Sequence, residues 1–518
     1  MKKILGMSLA ILATITSLVG CNSTASEATV DFTKEGEGEV IWWNNYQDPT
    51  EDKVDEETAR KSNTYREYYY AKDLIEAFQK EYPNIKITTV YKGSYSNIKQ
   101  AVDSALTGGG LPCIATCYPD SVYSWNEAGA IQDMTGAAEI LAKDSDYNQS
   151  YLTIEKSMYK SGTLLTLPYS KSAETFVYNE TVFNKEGEGE CGTSNKTYTA
   201  PVAASTKTKY SVPTNWDELI ATAKKIKADF PDVFANQKDS DGYFTAVPFC
   251  WDSAENMVIS LFKNAGIDYT ANGDSITSRV LFNNTKAKEL LIQLKKWNNE
   301  GLIATQNQLP ITNASKGYHA YGSNLFCNGK IFMSVSSTAG SRYFTNDGFL
   351  ANMTKTLAWS NGSQADAKVI SQGPSLAFFK TQDDNVSQAA FTFYKYLTNA
   401  TNSANLAVNT SYFPLRTSAA NNEKVKALTT AAATKPADNA STTDKGNYYA
   451  GTVMKINDTL TSTDSYFLSP VTKESADCRT AVGNMISTIF NDKTATTDAE
   501  IETLVTTALT NAYNTVAK

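Results

Sequence analysis

Four carboxylates, Asp120, Glu174, Asp252 and Glu255, fall at predicted strand ends or helix starts, where two of them could meet across a cleft. Paired carboxylates hydrolyse glycosides, one as a protonated acid and one as base or nucleophile. That chemistry needs an apolar setting to raise one pKa, and none of the four sits in an apolar run. Histidine chemistry has a single candidate, His319. A zinc site, a Ser/His/Asp triad or a Cys/His dyad would all have to be built on it, and its neighbours offer no support. Cys113 and Cys117 form a CxxxC without a second pair, a weak metal or redox signal; the cysteines beyond residue 21 are irregularly spaced and read as scattered buried thiols. Asp239-Ser240-Asp241-Gly242 is a fragment of a calcium loop without its closing glutamate, and reads as a turn. Gly108-Gly109-Gly110 lacks a following GK[ST] and reads as a helix stop. No metal and no cofactor is expected.

The elements that must position such groups are organised around residues 164–183, LLTLPYSKSAETFVYNETVF. Pro168 forbids a helix through the middle, residues 175–178 have strand composition, and Tyr169, Ser170, Lys171, Ser172 and Glu174 crowd polar groups beside an aromatic. Such a segment suits a cleft wall where the chain first crosses between two bodies. Upstream, predicted strands at 40–43, 85–90 and 113–118 alternate with helices at 71–82 and 97–106. This predicts a largely parallel sheet that presents Tyr118-Pro119-Asp120 at a strand's carboxyl end. Downstream, residues 215–218 resemble a capping box opening a helix to Phe230. Strands at 246–251 and 330–336 and helices at 255–265 and 286–297 follow. A strand pair surrounds Gln372-Gly373-Pro374, a helix spans 388–397, Tyr412 to Arg416 is similar to the first bridge and suits a later crossing, and two amphipathic helices close the chain at 480–490 and 499–516. Residues 44–66 and 184–211 read as surface insertions.

Over 518 residues, 41% hydrophobic and 20% charged positions describe an ordinary soluble chain, long enough for two lobes. With 47 Lys+Arg against 55 Asp+Glu, a net charge of −8 and no basic run, nucleic acid is excluded as a partner. The first 20 residues form a targeting segment: Lys2 and Lys3, an apolar stretch, then Leu18-Val19-Gly20-Cys21. The tetrapeptide is similar to a bacterial lipobox, which implies cleavage before Cys21 and acylation there, palmitate included. At about 0.8 kcal/mol per buried methylene, several acyl chains would hold the protein to a membrane. A plain secretory signal is the alternative. Residues 21–39 read as a flexible tether.

Seven stretches in order resemble the family 1 extracellular solute-binding proteins, carbohydrate-binding lipoproteins of ABC importers of the maltose/oligosaccharide-binding type. They are AKDLIEAFQKEYPNIKITTVY, LPYSKSAETFVYNETVF, VPTNWDELIATAKKI, FNNTKAKELLIQLKKWNNEGL, LFCNGKIFMSV, GPSLAFF with AAFTFYKYLT, and TSYFPLRTS. Departures are the two insertions and Pro112-Cys113, where the family usually has Pro-Asp. The resemblance implies an α/β, two-lobe periplasmic-binding-protein-like fold with a hinged interlobe cleft. Lobe 1 would comprise 40–172 and 366–412, and lobe 2 173–365 and 413–518. It implies binding without catalysis: a monomer on the outside of the cell or in the periplasm captures a sugar, above all an oligosaccharide, and passes it to the importer's permease subunits. Glycerol 3-phosphate or a related polyol is the alternative ligand, and a glycoside hydrolase or a surface adhesin the rival class. Aromatic faces cover the C–H surfaces of a sugar ring, while carboxylates, amides, Lys and Arg take its hydroxyls. The matching positions are Trp42, Trp43, Tyr118, Asp120, Tyr169, Ser170, Lys171, Glu174, Trp251, Asp252, Arg342, Gln372, Ser375 and Tyr412. A phosphate would favour Lys171 and Arg342.

Overall fold

The computed structural model describes residues 30–160, 162–183, 210–314, 317–461 and 465–518. The expected signal segment, Cys21, the tether up to residue 29 and residues 184–209 lie outside the described residues.

The first lobe is built on a five-stranded sheet in the order Ile85–Tyr91, Gly38–Asn44, Ile114–Cys117, Ser375–Phe378, Thr166–Pro168. The three strands expected from the alternating pattern are parallel, whereas Ser375–Phe378 runs antiparallel to both of its neighbours. Their connecting helices form for the reasons the periodicity gives. Arg66–Glu81 buries Leu74, Ile75 and Phe78 on one face. Tyr95–Gly108 buries Ile98, Val102 and Ala105, starts from the Ser94 side-chain cap, and ends at Gly109 with φ 82°, a backbone state that glycine adopts without a Cβ penalty.

The second lobe is built on a seven-stranded mixed sheet centred on Ser172–Asn179, every residue of which is buried. Met333–Ser337 pairs antiparallel on one side of it, followed by Phe249–Trp251 and Ile303–Thr305. Ala351–Lys355 and Val369–Gln372 pair with it on the other. Burial on both faces explains why this strand has no polar alternation. Helices Trp216–Asp229, Ala254–Asn264, Thr285–Asn299, Ser475–Asn491 and Asp498–Val516 supply Leu219, Val258, Leu291, Val482 and Val505 to its main core. Asn215 accepts from the Glu218 amide at 3.0 Å, capping the first of these helices.

The chain crosses between the sheets at Tyr169 to Lys171 and returns at Gly373-Pro374. The strand pair expected at 369–379 is thus two strands in different sheets. Val369–Gln372 hydrogen-bonds into the second sheet, although the division drawn from the sequence put it in lobe 1. Gly373 makes this switch possible: at φ +85°, a Cβ there would lie 1.9 Å from the Ser170 carbonyl oxygen, so the two crossings touch backbone to backbone. A third segment meets them where the Phe413 amide donates to the Lys171 carbonyl at 2.7 Å. Beyond it, helix Thr442–Thr461 serves both lobes, placing Leu460 in the first core and Tyr449 and Val453 in the second. Among the described residues no helix is long and apolar enough to cross a membrane.

Candidate functional site

Between the lobes lies a cavity of about 310 Å³. Arg66 and Glu67 open helix Arg66–Glu81, Tyr95 opens the next helix, and with Tyr118 and Tyr412 they form the first-lobe wall. Facing them are Ser172 and Gln372 from the two crossings, and Ser337, Gly340, Arg342 and Tyr343 from the end of strand Met333–Ser337 and the turn beyond it. A smaller space of about 40 Å³ continues past Tyr118, Gln372 and Gly373 to Asp120, Asn256 and Arg479.

The aromatic side is ordered by contacts among its own members. Tyr95 and Tyr118 pack with ring centroids 4.7 Å apart at 56°, and the Tyr95 and Tyr412 hydroxyls are hydrogen-bonded. Arg479, on second-lobe helix Ser475–Asn491, holds its guanidinium 5.5 Å from the Tyr118 ring centre. It donates to Asp120 Oδ2 at 2.6 Å and to Asn256 Oδ1 at 2.6 Å. Since Asp120 belongs to the first lobe, this ion pair spans the cleft.

The charged side is less balanced. Burial pushes the Glu67 carboxyl up to about 7 against the pull of Arg66. Burial, and then the neighbouring Arg66, bring the Arg342 guanidinium down to about 10. Arg342 donates to Asn447 Oδ1 at 3.2 Å and to the Val408 carbonyl at 3.3 Å, while its buried Nε has no acceptor. Arg66 donates to the Asn409 carbonyl at 3.0 Å. A carboxylate, two guanidinium groups and several hydroxyls around tyrosine faces can hold a hydroxyl-rich solute or an anionic one.

Of the residues expected to bind, Tyr118, Asp120, Arg342, Gln372 and Tyr412 line these spaces, and Lys171 borders the smaller one. Lys171 is already committed, because Nζ lies 2.7 Å from Glu155 Oε1 and 2.7 Å from Ser375 Oγ, and Ser375 in turn donates to Glu155. This ties up Lys171 and Ser375 together. Trp42 and Tyr169 pack against each other in the first core, with Trp42 Nε1 donating to Thr116 and Tyr46 donating to the Tyr169 hydroxyl. Trp43 lies in the opposite layer of that sheet beneath Lys92. Ser170 is buried at the crossing. Trp251, only 3% exposed, stacks on Trp216 and donates to Glu174 Oε1 at 2.9 Å. Glu174 is thereby held inside the second lobe, its carboxyl pushed up to about 7 by burial. Asp252 accepts from the Gly322 amide at 2.8 Å, with its pKa raised by burial to about 6. These indoles and carboxylates are packing and satisfying groups, so the expectation that they line the cleft does not describe where they sit.

Arg66, Glu67, Tyr95, Tyr343 and Arg479 escaped sequence reasoning. Arg66 closes the stretch read as an insertion, and Arg479 sits on a helix legible only as amphipathic. Tyr95 carried a usable signal, since it directly follows the Gly93-Ser94 turn beyond a strand's carboxyl end, where such sheets present ligand contacts.

Residues 73–433 match the bacterial extracellular solute-binding protein family. The chain belongs to that family. It is 24% identical over 354 residues to the sn-glycerol-3-phosphate-binding periplasmic protein UgpB of Escherichia coli (strain K12), covering 66% of this chain and 70% of that one. Among solved structures, this solute-binding protein resembles UgpB from Mycobacterium tuberculosis in complex with glycerophosphocholine, with a TM-score of 0.60 and 14% identity over 92% of this chain and 99% of the other. It also resembles the Thermus thermophilus maltotriose binding protein bound with maltotriose, with a TM-score of 0.56 and 13% identity over 92% and 99%. Such structural likenesses establish the two-lobe α/β fold that the sequence motifs implied.

Proposed function

We propose that this solute-binding protein is the receptor of an ABC importer and captures a sugar, above all an oligosaccharide, in the interlobe cavity for delivery to the permease subunits. Anchored through acylated Cys21, it works as a monomer on the outer face of the cell membrane or in the periplasm. The observation that carries the reading is the wall of Tyr95, Tyr118, Tyr343 and Tyr412 interleaved with Ser172, Gln372 and Glu67: tyrosine faces suit the C–H surfaces of a pyranose, and the polar groups suit its hydroxyls. Three of the four carboxylates weighed for acid–base work are engaged by protein groups, Asp120 by Arg479, Glu174 by Trp251 and Asp252 by a backbone amide.

A second reading has its own observation. The Arg342 Nε without an acceptor, beside Arg66, leaves cationic capacity that a phosphate would use, and glycerol 3-phosphate or a related polyol then becomes the cargo. A thermal-shift screen with mono- and oligosaccharides, glycerol 3-phosphate and glycerophosphodiesters separates the two. A ligand at 100 times its Kd stabilises by about 2.7 kcal/mol. A shift confined to sugars supports the first reading, a shift confined to phosphates the second, and no shift with any of them counts against both.

A further inference from the structure

Four of the chain's arginines hold a carboxylate: Arg60 with Asp73, Arg279 with Glu474, Arg416 with Asp144 and Arg479 with Asp120. Arg342, in the turn after strand Met333–Ser337, is placed differently. Among the described residues it meets neutral oxygens alone, those of the Asn447 side chain and the Val408 carbonyl, and its buried Nε has no acceptor. The guanidinium is nonetheless firmly seated, with Gly446 making room for it: a Cβ there would lie 3.2 Å from Nη1. A cation withdrawn from water without a counter-charge is costly, and this one lines the cavity of about 310 Å³. Arg66 lines the same cavity, and its charge adds to that of Arg342 instead of offsetting it. Glu67, the acid in that lining, does not cancel the two, because burial pushes its carboxyl up to about 7 and it can take a proton and donate. Arg66 and Glu67 also precede residues 73–433, the stretch that matches the family, so membership alone does not supply this charge.

We propose that the cargo is an acidic saccharide, its rings against the cavity's tyrosines and its one anionic group, a carboxylate or a phosphate ester, beside Arg342 and Arg66. The inference rests on the sugar reading above and adds a charge to it. An uncharged sugar would leave the Arg342 cation without a counter-charge. A glycerol phosphate would supply the charge but no ring for Tyr95, Tyr118, Tyr343 and Tyr412, which line the same space. A planar guanidinium suits carboxylate and phosphate alike, so the cavity defines the class of ligand and the experiment separates the two sources of its charge.

The test is calorimetric titration of wild-type protein and of Arg342→Gln with matched pairs that differ only in the charged group. Cellobiose against cellobiouronic acid tests a carboxylate, and trehalose against trehalose 6-phosphate tests a phosphate ester. Neutral linear glucans and glycerol 3-phosphate complete the panel. Wild type is expected to bind an acidic member about 10- to 100-fold more tightly than its neutral partner, and the pair that shows the preference names the source of the charge. In Arg342→Gln the preference disappears while the neutral partner binds as before, because glutamine can still donate to Asn447 or Val408 but carries no charge. Arg66→Gln repeats the measurement should Arg342→Gln fail to fold. A neutral member that binds as tightly as its acidic partner, or a preference that survives both substitutions, overturns the acidic cargo and leaves the sugar reading standing. Binding of glycerol 3-phosphate without any saccharide, or of no member of the panel, overturns both.

Discussion

Replacing Lys171 by methionine removes half of an ion pair buried at the point where the interlobe segments meet. Its ammonium and the Glu155 carboxylate are 2.7 Å apart, with side chains 4% and 0% exposed. At an effective dielectric constant of about 20, their attraction is about 6 kcal/mol, and the hydration lost by two buried ions offsets most of it. The intact pair therefore adds little net stability, whereas an orphaned charge is expensive. In Lys171→Met, Glu155 keeps only Thr166 Oγ1 at 2.6 Å and Ser375 Oγ as partners, and the expected loss is about 3–5 kcal/mol. For a chain of about 500 residues melting as one unit, the unfolding entropy is about 1 kcal/mol/K, so Tm falls by about 3–5 °C. Lys171→Met/Glu155→Leu removes both charges and should recover most of that loss. Scanning calorimetry with urea unfolding of the wild type, the two single variants and the double variant forms the cycle. Single variants within 1 kcal/mol of wild type, or a double variant no more stable than the singles, would show that these charges are hydrated and refute the account of a dry crossing.

Three further outcomes are open to measurement. Trp251→Ala is expected to cost about 3–5 kcal/mol in urea unfolding, through a lost stack on Trp216 and an unsatisfied Glu174, while sugar affinity of the folded protein stays near wild type; a large affinity loss at unchanged stability would put the indole in the cleft. Glu67, with its carboxyl pushed up to about 7 by burial, accepts sugar hydroxyls more strongly when ionised, so affinity for an uncharged sugar should fall as pH drops through 7 and lose that dependence in Glu67→Gln; affinity that rises as pH drops would mark an anionic solute. Cys21→Ser should move the protein from the membrane to the soluble fraction on cell fractionation, and retention would refute the lipid anchor.

Periodicity made the elements legible and the carboxyl-end rule pointed to Tyr118 and Asp120, but neither could say which side chains within a strand are buried. In a sheet covered by helices on both faces, a side chain within a strand is buried whichever way it points. Trp42 and Trp251 therefore became core residues despite their suitability for sugars, while Tyr118, one residue past the strand Ile114–Cys117, reached the cavity. The same geometry separates Gln372 from Ser375. Both flank Gly373-Pro374, yet Gln372 lines the cavity whereas Ser375 begins a first-lobe strand and bonds inward to Glu155 and Lys171. The remaining groups come from helix starts and a helix face remote in sequence. Arg479 and Asp120 pair only because helix Ser475–Asn491 packs against the turn after Cys117, a long-range contact that no local pattern encodes.

That distribution also says how binding and closure are joined. The partners of the Lys171 side chain, Glu155 and Ser375, lie on first-lobe elements, as does Thr166, which holds Glu155 from its other side. Lys171 therefore travels with the first lobe. The next residue, Ser172, pairs with Gln372 in the second sheet. The Lys171–Glu155 pair is thus contained within one lobe and does not depend on how the two lobes sit against each other. The cavity has no such independence, because Tyr118 and Asp120 come from one lobe and Arg342 and Arg479 from the other. Separating the lobes breaks the Asp120–Arg479 pair and divides the tyrosine wall, so a solute that touches both sides stabilises the closed form by its differential contacts alone.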